Sequence, residues 1–596
     1  MSWERSTRFL SRMFDALTVW GLLPIALPLL VLCAQRLSWL LFPKGTRTER
    51  VAAACVLGMG LVHASVGCLG QLGILSAFTL LLVLVAGAGV LLWVTRNRID
   101  ARFPWSELTP ALVLVLCTVG AAVITARLLP VWQWDSFGYH LPFVNFVLQQ
   151  GGFAQVPEDL HYISTYPHNI ELGMIWLRAM LPDDRLVDLA QVPYGIAGAL
   201  LTAAIARQLG AVRPLAALAG AAWLTLPVVF LQLPTNYVDV GTAAALLGAL
   251  FFLVLSPITK QGLLIGGLSL GLFLGSKPSA PLAAVFLGVV TLVRAVRVGE
   301  LKGLGLAALA TLVFGAEMYV VMWIRHGNPV WPVTLHLGPL VLPGESSVEN
   351  LLAAGSALPH ASGGLLERLS VSWLAIDTNP VFDMKLGGLG VLFLVALPLA
   401  IFGLVRRRAF PLVLALVATL LSPDPSVPRY VLAFPALVLA IAMAEFELRA
   451  RHAVTAAVLL LVAMQLHHAW PGLVGDGPTW QAFLTLSDDE RRVAVGPYGR
   501  PTDYPDAWAQ VANGESVAFD GDFEFPGLLW SPDLRFPVYA VPKRHTPEEF
   551  TRWLSEHHVR LLAVGDGHRG FVEREPGRWR RLFDCRSAPC AVYVRQ

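Results

Sequence analysis

The sequence contains a long series of apolar runs, each close to the length of a helix that crosses a membrane. An α-helix needs roughly 17–25 residues to span a hydrocarbon core of about 30 Å. Hydrophobic residues make up 55% of the 596 residues and charged residues 14%, whereas soluble domains carry roughly 25% charged residues. A soluble fold could not bury so much apolar surface. The sequence therefore predicts a polytopic α-helical membrane protein with about 12–14 transmembrane helices.

The apolar runs continue to about residue 470, and several are short for a membrane span. The predicted runs are 17–42, 51–70, 73–95, 109–130, 185–209, 215–233, 238–256, 261–276, 279–296, 303–324, 387–405, 409–422, 430–447 and 453–470.

The positions of Lys and Arg predict which loops face the cytoplasm, because cytoplasmic loops carry an excess of both. Threading the runs places these basic groups on one side: Arg96, Arg98 and Arg102; Arg207 and Arg213; Arg294, Arg297 and Lys302; Arg406 to Arg408; Arg449 and Arg451. The other, extracytoplasmic side receives the loops 131–184, 233–239, 325–386 and 422–430 and everything after residue 470.

The first apolar run conflicts with this assignment. Lys44, Arg47 and Arg50 also favour the cytoplasm, which would leave Arg5, Arg8 and Arg12 outside unless the run is re-entrant or a hairpin. Its orientation stays open.

Four regions follow from these patterns. They are N-terminal transmembrane helices (1–130), a first extracytoplasmic loop with interfacial helices (131–184), a transmembrane core that contains the 325–386 loop (185–470), and a soluble extracytoplasmic α/β domain (475–596). In the last region the charged fraction rises to roughly the soluble level and apolar runs shrink to strand length.

The C-terminal region carries signals for strands and for one helix. Strands are predicted at ESVAFD, FPVYAV, LLAVG and AVYVR. The segment HTPEEFTRWLSEHH predicts a helix with Thr546 as N-cap, Pro547 as its first residue and Glu549 closing a capping box. Cys585 and Cys590 are close enough for a short disulfide loop if this region faces an oxidising compartment, and bridged and free thiols are both kept open.

Asp135 is the first candidate functional residue. It lies in the polar sequence WDSFGYH, directly after an apolar run and before a short amphipathic stretch. A carboxylate at that position can meet both water and lipid. The alternative is an ordinary aspartate that caps the helix beginning near Phe137.

The surrounding motifs resemble those of a known family. The runs DSFGYHLPFVNFVLQQG (135–151) and YPHNIELGMIW (166–176) are similar to the first extracytoplasmic loop of bacterial C-type glycosyltransferases. These membrane enzymes use polyprenyl-phosphate sugars and include protein O-mannosyltransferases and the lipid A aminoarabinose transferase. Further pieces follow in the expected order: LPTNYVDVGTA (233–243), GLFLGSKPSA (271–280), RHGNPVWP (325–332), LGGLG (386–390) and PRYVLAFP (428–435). Four apolar runs precede Asp135, about three more than in the family's usual arrangement, in which the first span leads directly to the catalytic loop.

The chemistry that the resemblance implies assigns roles to particular residues. Sugar transfer to a hydroxyl needs a base for the hydroxyl proton, and Asp135 is the candidate. The departing phosphate needs cations or hydrogen-bond donors, and Lys277, Arg325 and Arg429 are the candidates. The resemblance also implies inversion at the anomeric carbon. The alternatives are a snorkelling lysine at 277 and arginines at 325 and 429 that bind lipid head groups.

Three more polar residues complete the predicted substrate-binding set. His140 is a candidate hydrogen-bond partner for sugar or acceptor, or else an interfacial polar residue. Glu171 lies in the apolar stretch IELGMIW and needs a partner, unless it faces the surface of an interfacial helix. Asp239 is a candidate for orienting Lys277 or another cation, with an N-terminal helix cap as the alternative.

Other kinds of site find little support in the sequence. The net charge of +3 and the lack of a basic run interleaved with aromatics argue against nucleic acid as a partner. No GxxxxGK[ST] or GxGxxG motif predicts a nucleotide site. Some enzymes of the resembling family use a divalent cation, but Glu158 and Asp159 lie more than twenty residues from Asp135 and no His/Cys cluster has ligand spacing, so no cofactor is predicted.

The leading hypothesis is a glycosyltransferase of the bacterial inner membrane, with a polyprenyl-phosphate sugar donor and a glycan, lipid or protein acceptor. The alternative is a transporter or flippase of a lipid-linked glycan, in which ionisable residues would lie mid-span in two related halves. Here they cluster at the outer ends of the runs. A ligase that joins whole lipid-linked glycans would share the chemistry.

Overall fold

The computed structural model describes residues 19–96, 105–129, 131–153, 156, 160–347, 350, 363–376, 380–384, 386–407, 409–474, 480–486, 490–491, 503–542, 546–585 and 589–596. The residues of the sequence analysis that lie outside these ranges are Arg5, Arg8, Arg12, Arg98, Arg102, Glu158, Asp159 and Arg408.

The first half of the chain is helical. Its helices are α1 Leu23–Leu41, α2 Arg47–Gln71, α3 Ala77–Val94, α4 Trp105–Leu128, α5 Leu141–Gln150, α6 His161–Ser164, α7 Asn169–Met180, α8 Gln191–Gln208, α9 Arg213–Leu224, α10 Pro227–Gln232, α11 Asp239–Ala249, α12 Lys260–Leu274 and α13 Ala280–Arg297. Two π-helical segments, Ser136–His140 and Leu250–Leu255, adjoin α5 and α11.

Helices continue to the end of the membrane region. They are α14 Leu301–Gly315, α15 Glu317–His326, α16 Leu365–Trp373, α17 Gly390–Arg407, α18 Phe410–Leu420, α19 Ala433–Met443 and α20 Arg451–Ala469. A short hairpin, β1 Leu335–Leu337 and β2 Leu340–Leu342, follows α15. Short 3₁₀ turns lie at Val187–Leu189, Pro428–Val431, Leu448–Ala450 and Trp470–Val474.

The protein is a polytopic α-helical membrane protein. Within the described ranges, eight helical segments are long and apolar enough to cross a membrane, and a ninth is added if the pair α14 and α15, bent by 64°, counts as one span. Four further apolar helices are shorter: Asp239–Leu255, Lys260–Leu274, Phe410–Leu420 and Ala433–Met443. Helices α8, α9, α11 and α19 are buried on nearly every side, whereas α3, α13 and α17 expose Leu, Val and Ile outwards, as helices that contact lipid do.

One predicted run is broken. The run 215–233 forms two short helices, because Pro227 follows Leu226 and pushes that residue to an extended conformation (φ −58°, ψ 131°).

The C-terminal region is a small α/β unit, as the sequence predicted. Its elements are α21 Trp480–Thr485, α22 Asp503–Trp508, β3 Ser516–Phe519, a 3₁₀ turn Pro526–Leu529, β4 Val538–Ala540, α23 Pro547–Glu556, β5 Val559–Val564, α24 Asp566–Glu573, β6 Trp579–Asp584 and β7 Ala591–Arg595. The strand order is β4-β3-β5-β7-β6, with β3 parallel to β4 and β5 and with β7 antiparallel to its neighbours. The Thr546–Glu549 capping box is present, and Cys585 and Cys590 form a disulfide.

Contacts between loops group the helix ends into two sides. Leu22 N, at the start of α1, donates to Met180 O (2.8 Å) in the loop that contains Asp135, whereas the α1–α2 turn lies at the opposite end. Phe42, in that turn, contacts Phe252 at 5.8 Å, and Gln208 Nε2 donates to Leu255 O at the end of the same π-helical segment. Next to Gln208, Leu209 O accepts from Nη1 of Arg407 (2.6 Å), whose Nε donates to Glu445 (2.9 Å). The first span therefore begins beside the Asp135 loop, and Lys44 falls on the side of the other basic loops.

Candidate active site

Asp135 lies at the start of a helix that is wound more loosely than an α-helix. Pro142 has no N–H to donate to the preceding turn, and Ser136–His140 are π-helical, with Leu141 N donating to Ser136 O. Such segments are frequent at functional sites. The Asp135 side chain makes no helix-capping hydrogen bond. It faces Arg429 instead, with 3.7 Å between Arg429 Nη1 and Oδ2.

Arg429 is a buried cation among three carboxylates. Its side chain is 8% exposed, and its two terminal nitrogens lie 3.7 Å from Asp135, 3.9 Å from Asp239 and 3.0 Å from Asp383. The residue follows Pro428 in the 3₁₀ turn that leads into α19. A buried charge is tolerated only when it is paired, so this arginine is part of the packed site and does not lie among lipid head groups.

Lys277 adds a second cation. Its Nζ forms an ion pair with Asp239 Oδ1, which is one of the alternatives that the sequence left open for Asp239, and it lies 4.6 Å from the centre of the Tyr430 ring. The rings of Tyr237 and Tyr430 lie 5.4 and 5.1 Å from the Arg429 guanidinium. These aromatic faces stabilise cations, so both positive charges are held in place.

The two cations line a narrow cleft in which apolar side chains are mixed with polar ones, such as Thr242, Ser279, Thr419 and Ser422. The cleft has about 30 Å³ of open volume, and its apolar lining includes Leu246, Phe273, Ala283, Ala418 and Leu421. Lys277 and Arg429 contribute to the same lining. A ligand with an anionic head and an apolar tail fits this pattern of side chains, provided that the walls separate to admit it.

His140 and Glu171 form a second, deeper group. His140 Nδ1 lies 2.9 Å from Glu171 Oε1, and both side chains are almost fully buried. Burial alone would raise the pKa of the Glu171 carboxyl, but the hydrogen bonds and positive charge of His140 and His168 lower it to about 2. The His140 ring is 6.0 Å from the Tyr237 ring, so Tyr237 separates this group from Arg429.

Arg325 lies elsewhere. It is at the end of α15 and lines a cavity of about 500 Å³ together with Gln71, Phe153, His168 and Glu317. Asp135, Asp239, Lys277 and Arg429 are thus brought together, His140 and Glu171 lie beside them, and Arg325 belongs to a different cavity.

Two residues of the site were not identified in the sequence. Asp383 precedes the LGGLG motif in the 325–386 loop, and its position next to that motif was the available signal. His168 lies within the YPHNIEL motif, three residues before Glu171, a spacing that places both side chains on one face of a helix. Its Nδ1 is 3.6 Å from Glu171.

The carboxylates do not form a metal-binding set. Among the residues that the structure describes, no group of three or more His, Cys, Asp or Glu side chains could hold a metal ion. Asp135, Asp239 and Asp383 converge on Arg429, so a divalent cation placed between them would meet a fixed positive charge.

Comparison with known proteins relates this architecture to solved structures. No protein-family model and no curated protein matches the sequence. The crystal structure of ArnT from Cupriavidus metallidurans, an aminoarabinose transferase, in the apo state is similar with a TM-score of 0.50 and 14% identity, over 81% of this chain and 97% of that chain.

Two further crystal structures are similar at lower scores. ArnT from the same organism bound to undecaprenyl phosphate gives a TM-score of 0.49 and 13% identity, over 81% of this chain and 97% of that chain. The oligosaccharyltransferase of Archaeoglobus fulgidus gives 0.36 and 13%, over 77% and 69%. The resemblance to C-type glycosyltransferases is therefore confirmed for the fold, which is that of ArnT.

Proposed function

We propose that the protein is a membrane glycosyltransferase that moves a sugar from a polyprenyl-phosphate donor to a hydroxyl of an extracytoplasmic glycan, lipid or protein. The observation that carries the proposal is the placement of a carboxylate beside two cations that line a partly apolar cleft. Asp135 lies 3.7 Å from Arg429, and Lys277 and Arg429 both line the cleft.

In the proposed reaction the carboxylate and the two cations have different roles. The acceptor oxygen attacks the anomeric carbon, a new carbon–oxygen bond forms with inversion, and the bond to the phosphate oxygen breaks. The hydroxyl proton passes to the Asp135 carboxylate, which acts as general base. The electron pair of the broken bond leaves with the lipid phosphate, whose added charge Lys277 and Arg429 stabilise.

Asp383 bears on how the donor would bind. Its carboxylate makes the shortest contact to Arg429, at 3.0 Å, and its side chain is 36% exposed. A phosphate that binds Arg429 competes with this carboxylate. Donor binding therefore includes displacement of Asp383 from the guanidinium.

A transfer assay tests the proposal. Purified protein is incubated with a panel of polyprenyl-phosphate sugars and acceptors, and wild type is compared with Asp135→Asn. General-base catalysis contributes roughly 10²–10⁴-fold, so the variant should lose transfer by that factor. Glu548→Gln, an exposed acid in the first turn of α23, is the matched control and should keep full activity. Full activity in Asp135→Asn would exclude this base.

The flippase alternative predicts a different result. Labelled donor would cross the bilayer of proteoliposomes without transfer to any acceptor. The placement of Asp135, Lys277 and Arg429 at helix ends favours the enzyme, since a translocation path needs ionisable residues within the spans.

A further inference from the structure

The C-terminal α/β unit packs directly on the helix that begins at Asp135. The contact centres on Gln149, in the last turn of α5. Its Oε1 accepts hydrogen bonds from Trp530 Nε1 (3.0 Å) and Val538 N (2.8 Å), and its Nε2 donates to Val538 O (3.1 Å). One side chain therefore pairs with both backbone polar groups of a single residue in β4.

The contact with Gln149 is made at the edge of the C-terminal sheet. β4 is an edge strand of the five-stranded sheet, and such a strand presents unpaired N–H and C=O groups. The Gln149 amide occupies the place that a further strand would take. Beside it, the rings of Phe146 and Trp530 lie edge to face at 4.8 Å.

The same unit also holds the other end of the helical segment. Trp134 Nε1 donates to Glu524 Oε1 (3.1 Å), and the Trp134 ring contacts Phe525 at 5.8 Å. Gly527 lies against the backbone of Phe137, since a Cβ added at Gly527 would come within 2.9 Å of Phe137 Cα. The C-terminal unit thus contacts residues on both sides of Asp135 and the far end of the helix.

We propose that the C-terminal unit positions Asp135 for catalysis, through a latch formed by Trp134, Gln149, Glu524, Trp530 and Val538. The inference rests on the proposed function. The carboxylate lies 3.7 Å from Arg429, which is too far for a hydrogen bond, so its placement depends on the backbone of the segment 134–150. A misplacement of about 1 Å at a reacting group can cost about 10²-fold in rate.

Variants of the full-length protein separate positioning from donor binding. Gln149→Leu removes all three hydrogen bonds of the amide, and Glu524→Ala removes the acceptor of the Trp134 N–H. The double variant should lower kcat by about tenfold or more, while the donor KM stays within about twofold of wild type. Glu524→Gln keeps the acceptor oxygen and should have nearly wild-type kcat. A folded double variant with unchanged kcat, or with a raised donor KM and unchanged kcat, would overturn the inference.

Hydrogen exchange gives a readout that does not depend on transfer. Amides of residues 134–150 should exchange faster in the double variant than in wild type, while those of α11 and α19 remain protected. Unchanged protection of 134–150 would overturn the latch even if the enzyme were active. If wild type transfers no sugar, the proposed function fails, and this exchange experiment still decides whether the latch holds the helix.

Discussion

At the scale of single residues, the negative charges around Arg429 outnumber the positive ones. A nearly buried guanidinium faces three carboxylates. Lys277 is the one further cation in the contacts described above for this group. A planar guanidinium can bind several oxygens at once, whereas an ammonium is a compact point charge. The site is therefore more sensitive to the shape of the cation than to its charge alone.

Substitution of Arg429 should affect both folding and donor binding. Arg429→Ala removes the cation that Asp135, Asp239 and Asp383 share. Asp239 keeps Lys277 and the other two carboxylates are partly exposed, so stability should fall by less than the roughly 3–5 kcal/mol expected for a fully buried pair. Arg429→Lys keeps the charge but cannot contact the same oxygens, so the donor KM should rise by about tenfold or more. Thermal unfolding in detergent and initial-rate kinetics measure the two effects. If the donor KM of Arg429→Lys equalled that of wild type, we would conclude that Arg429 does not bind the phosphate.

Asp135 and Asp383 both contact Arg429, yet their substitution should have opposite consequences. Asp135→Asn removes the proposed base and should lower kcat. Asp383→Asn removes the anion that, in the proposed function, competes with the donor phosphate, so the Kd for a polyprenyl phosphate should fall by about threefold or more. Binding of the lipid to each purified variant gives the comparison. Weaker binding by Asp383→Asn would mean that this carboxylate does not compete with the phosphate and instead binds the sugar or stabilises the site.

The buried Glu171 should make stability depend on pH in a defined window. Its pKa falls from 4.5 to about 2 in the folded protein, so the carboxylate contributes stability that is complete above pH 4.5 and is lost as the pH falls toward 2. Glu171→Gln lacks this contribution. The difference in unfolding temperature between wild type and Glu171→Gln should narrow as the pH falls from 5 to 3. A constant difference down to pH 3 would contradict the lowered pKa.

The predicted residues that the structure brings together share one property. Asp135, Asp239, Lys277 and Arg429 are charged residues at the ends of apolar runs, where a charge is conspicuous. Asp383 lies in a polar loop, where an aspartate carries no such signal. Arg325 shows the limit of the same reasoning, because position along the chain does not determine which cavity a helix end lines.

At the scale of elements, the bend between α14 and α15 is stabilised from another part of the chain. Asn169 Nδ2 donates to Phe314 O (2.6 Å), just before the bend, and to Gly271 O and Leu272 O (both 3.2 Å) in α12. Helices α12 and α14 cross closely there, since a Cβ on Gly315 would lie 2.6 Å from Gly271 O. Small residues allow such close crossings in membranes.

Loss of the Asn169 amide should therefore destabilise the bend. Asn169→Leu removes the hydrogen bonds to Phe314 O and Leu272 O, whereas Gly271 O keeps the N–H of Gly275 (3.0 Å), so the total loss should be about 1–3 kcal/mol. Asn169→Asp cannot donate either and should be at least as unstable. Gln208→Leu is the control, because the exposed Gln208 amide also donates to a backbone carbonyl, Leu255 O, but water can replace it. Equal unfolding temperatures for the Asn169 and Gln208 variants would contradict this account.

Element boundaries could be predicted where a change in hydropathy marks them. They could not be predicted at a helix bend or at a charged edge strand. The apolar run 303–324 contains the bend at Ala316, and hydropathy does not register it. Strand β6, with the sequence WRRLFD, was missed because three of its six residues are charged. It is an edge strand, and charged side chains are characteristic of edges.

At the scale of the whole molecule, contacts between distant segments settle a question that charge counting left open. The start of α1 bonds to Met180, so α1 runs from the side of the Asp135 loop to the side of Lys44, Arg47 and Arg50. All basic loops among the described residues then share one side. The C-terminal unit lies on the other side, where its hydrogen bonds to Trp134 and Gln149 hold it.

The absolute orientation of these two sides can be measured by cysteine labelling. In a background in which the four free cysteines are replaced and the Cys585–Cys590 disulfide is kept, Glu548→Cys should react with a membrane-impermeant maleimide in intact spheroplasts, because basic loops face the cytoplasm. Arg449→Cys, whose side chain is 84% exposed, and Lys44→Cys should react only after permeabilisation. Labelling of Lys44→Cys in intact spheroplasts would contradict the course of α1, and full reversal of the pattern would place Asp135 and the C-terminal unit in the cytoplasm. Alkylation of Cys585 and Cys590 only after reduction would agree with the extracytoplasmic placement, since disulfides persist in oxidising compartments.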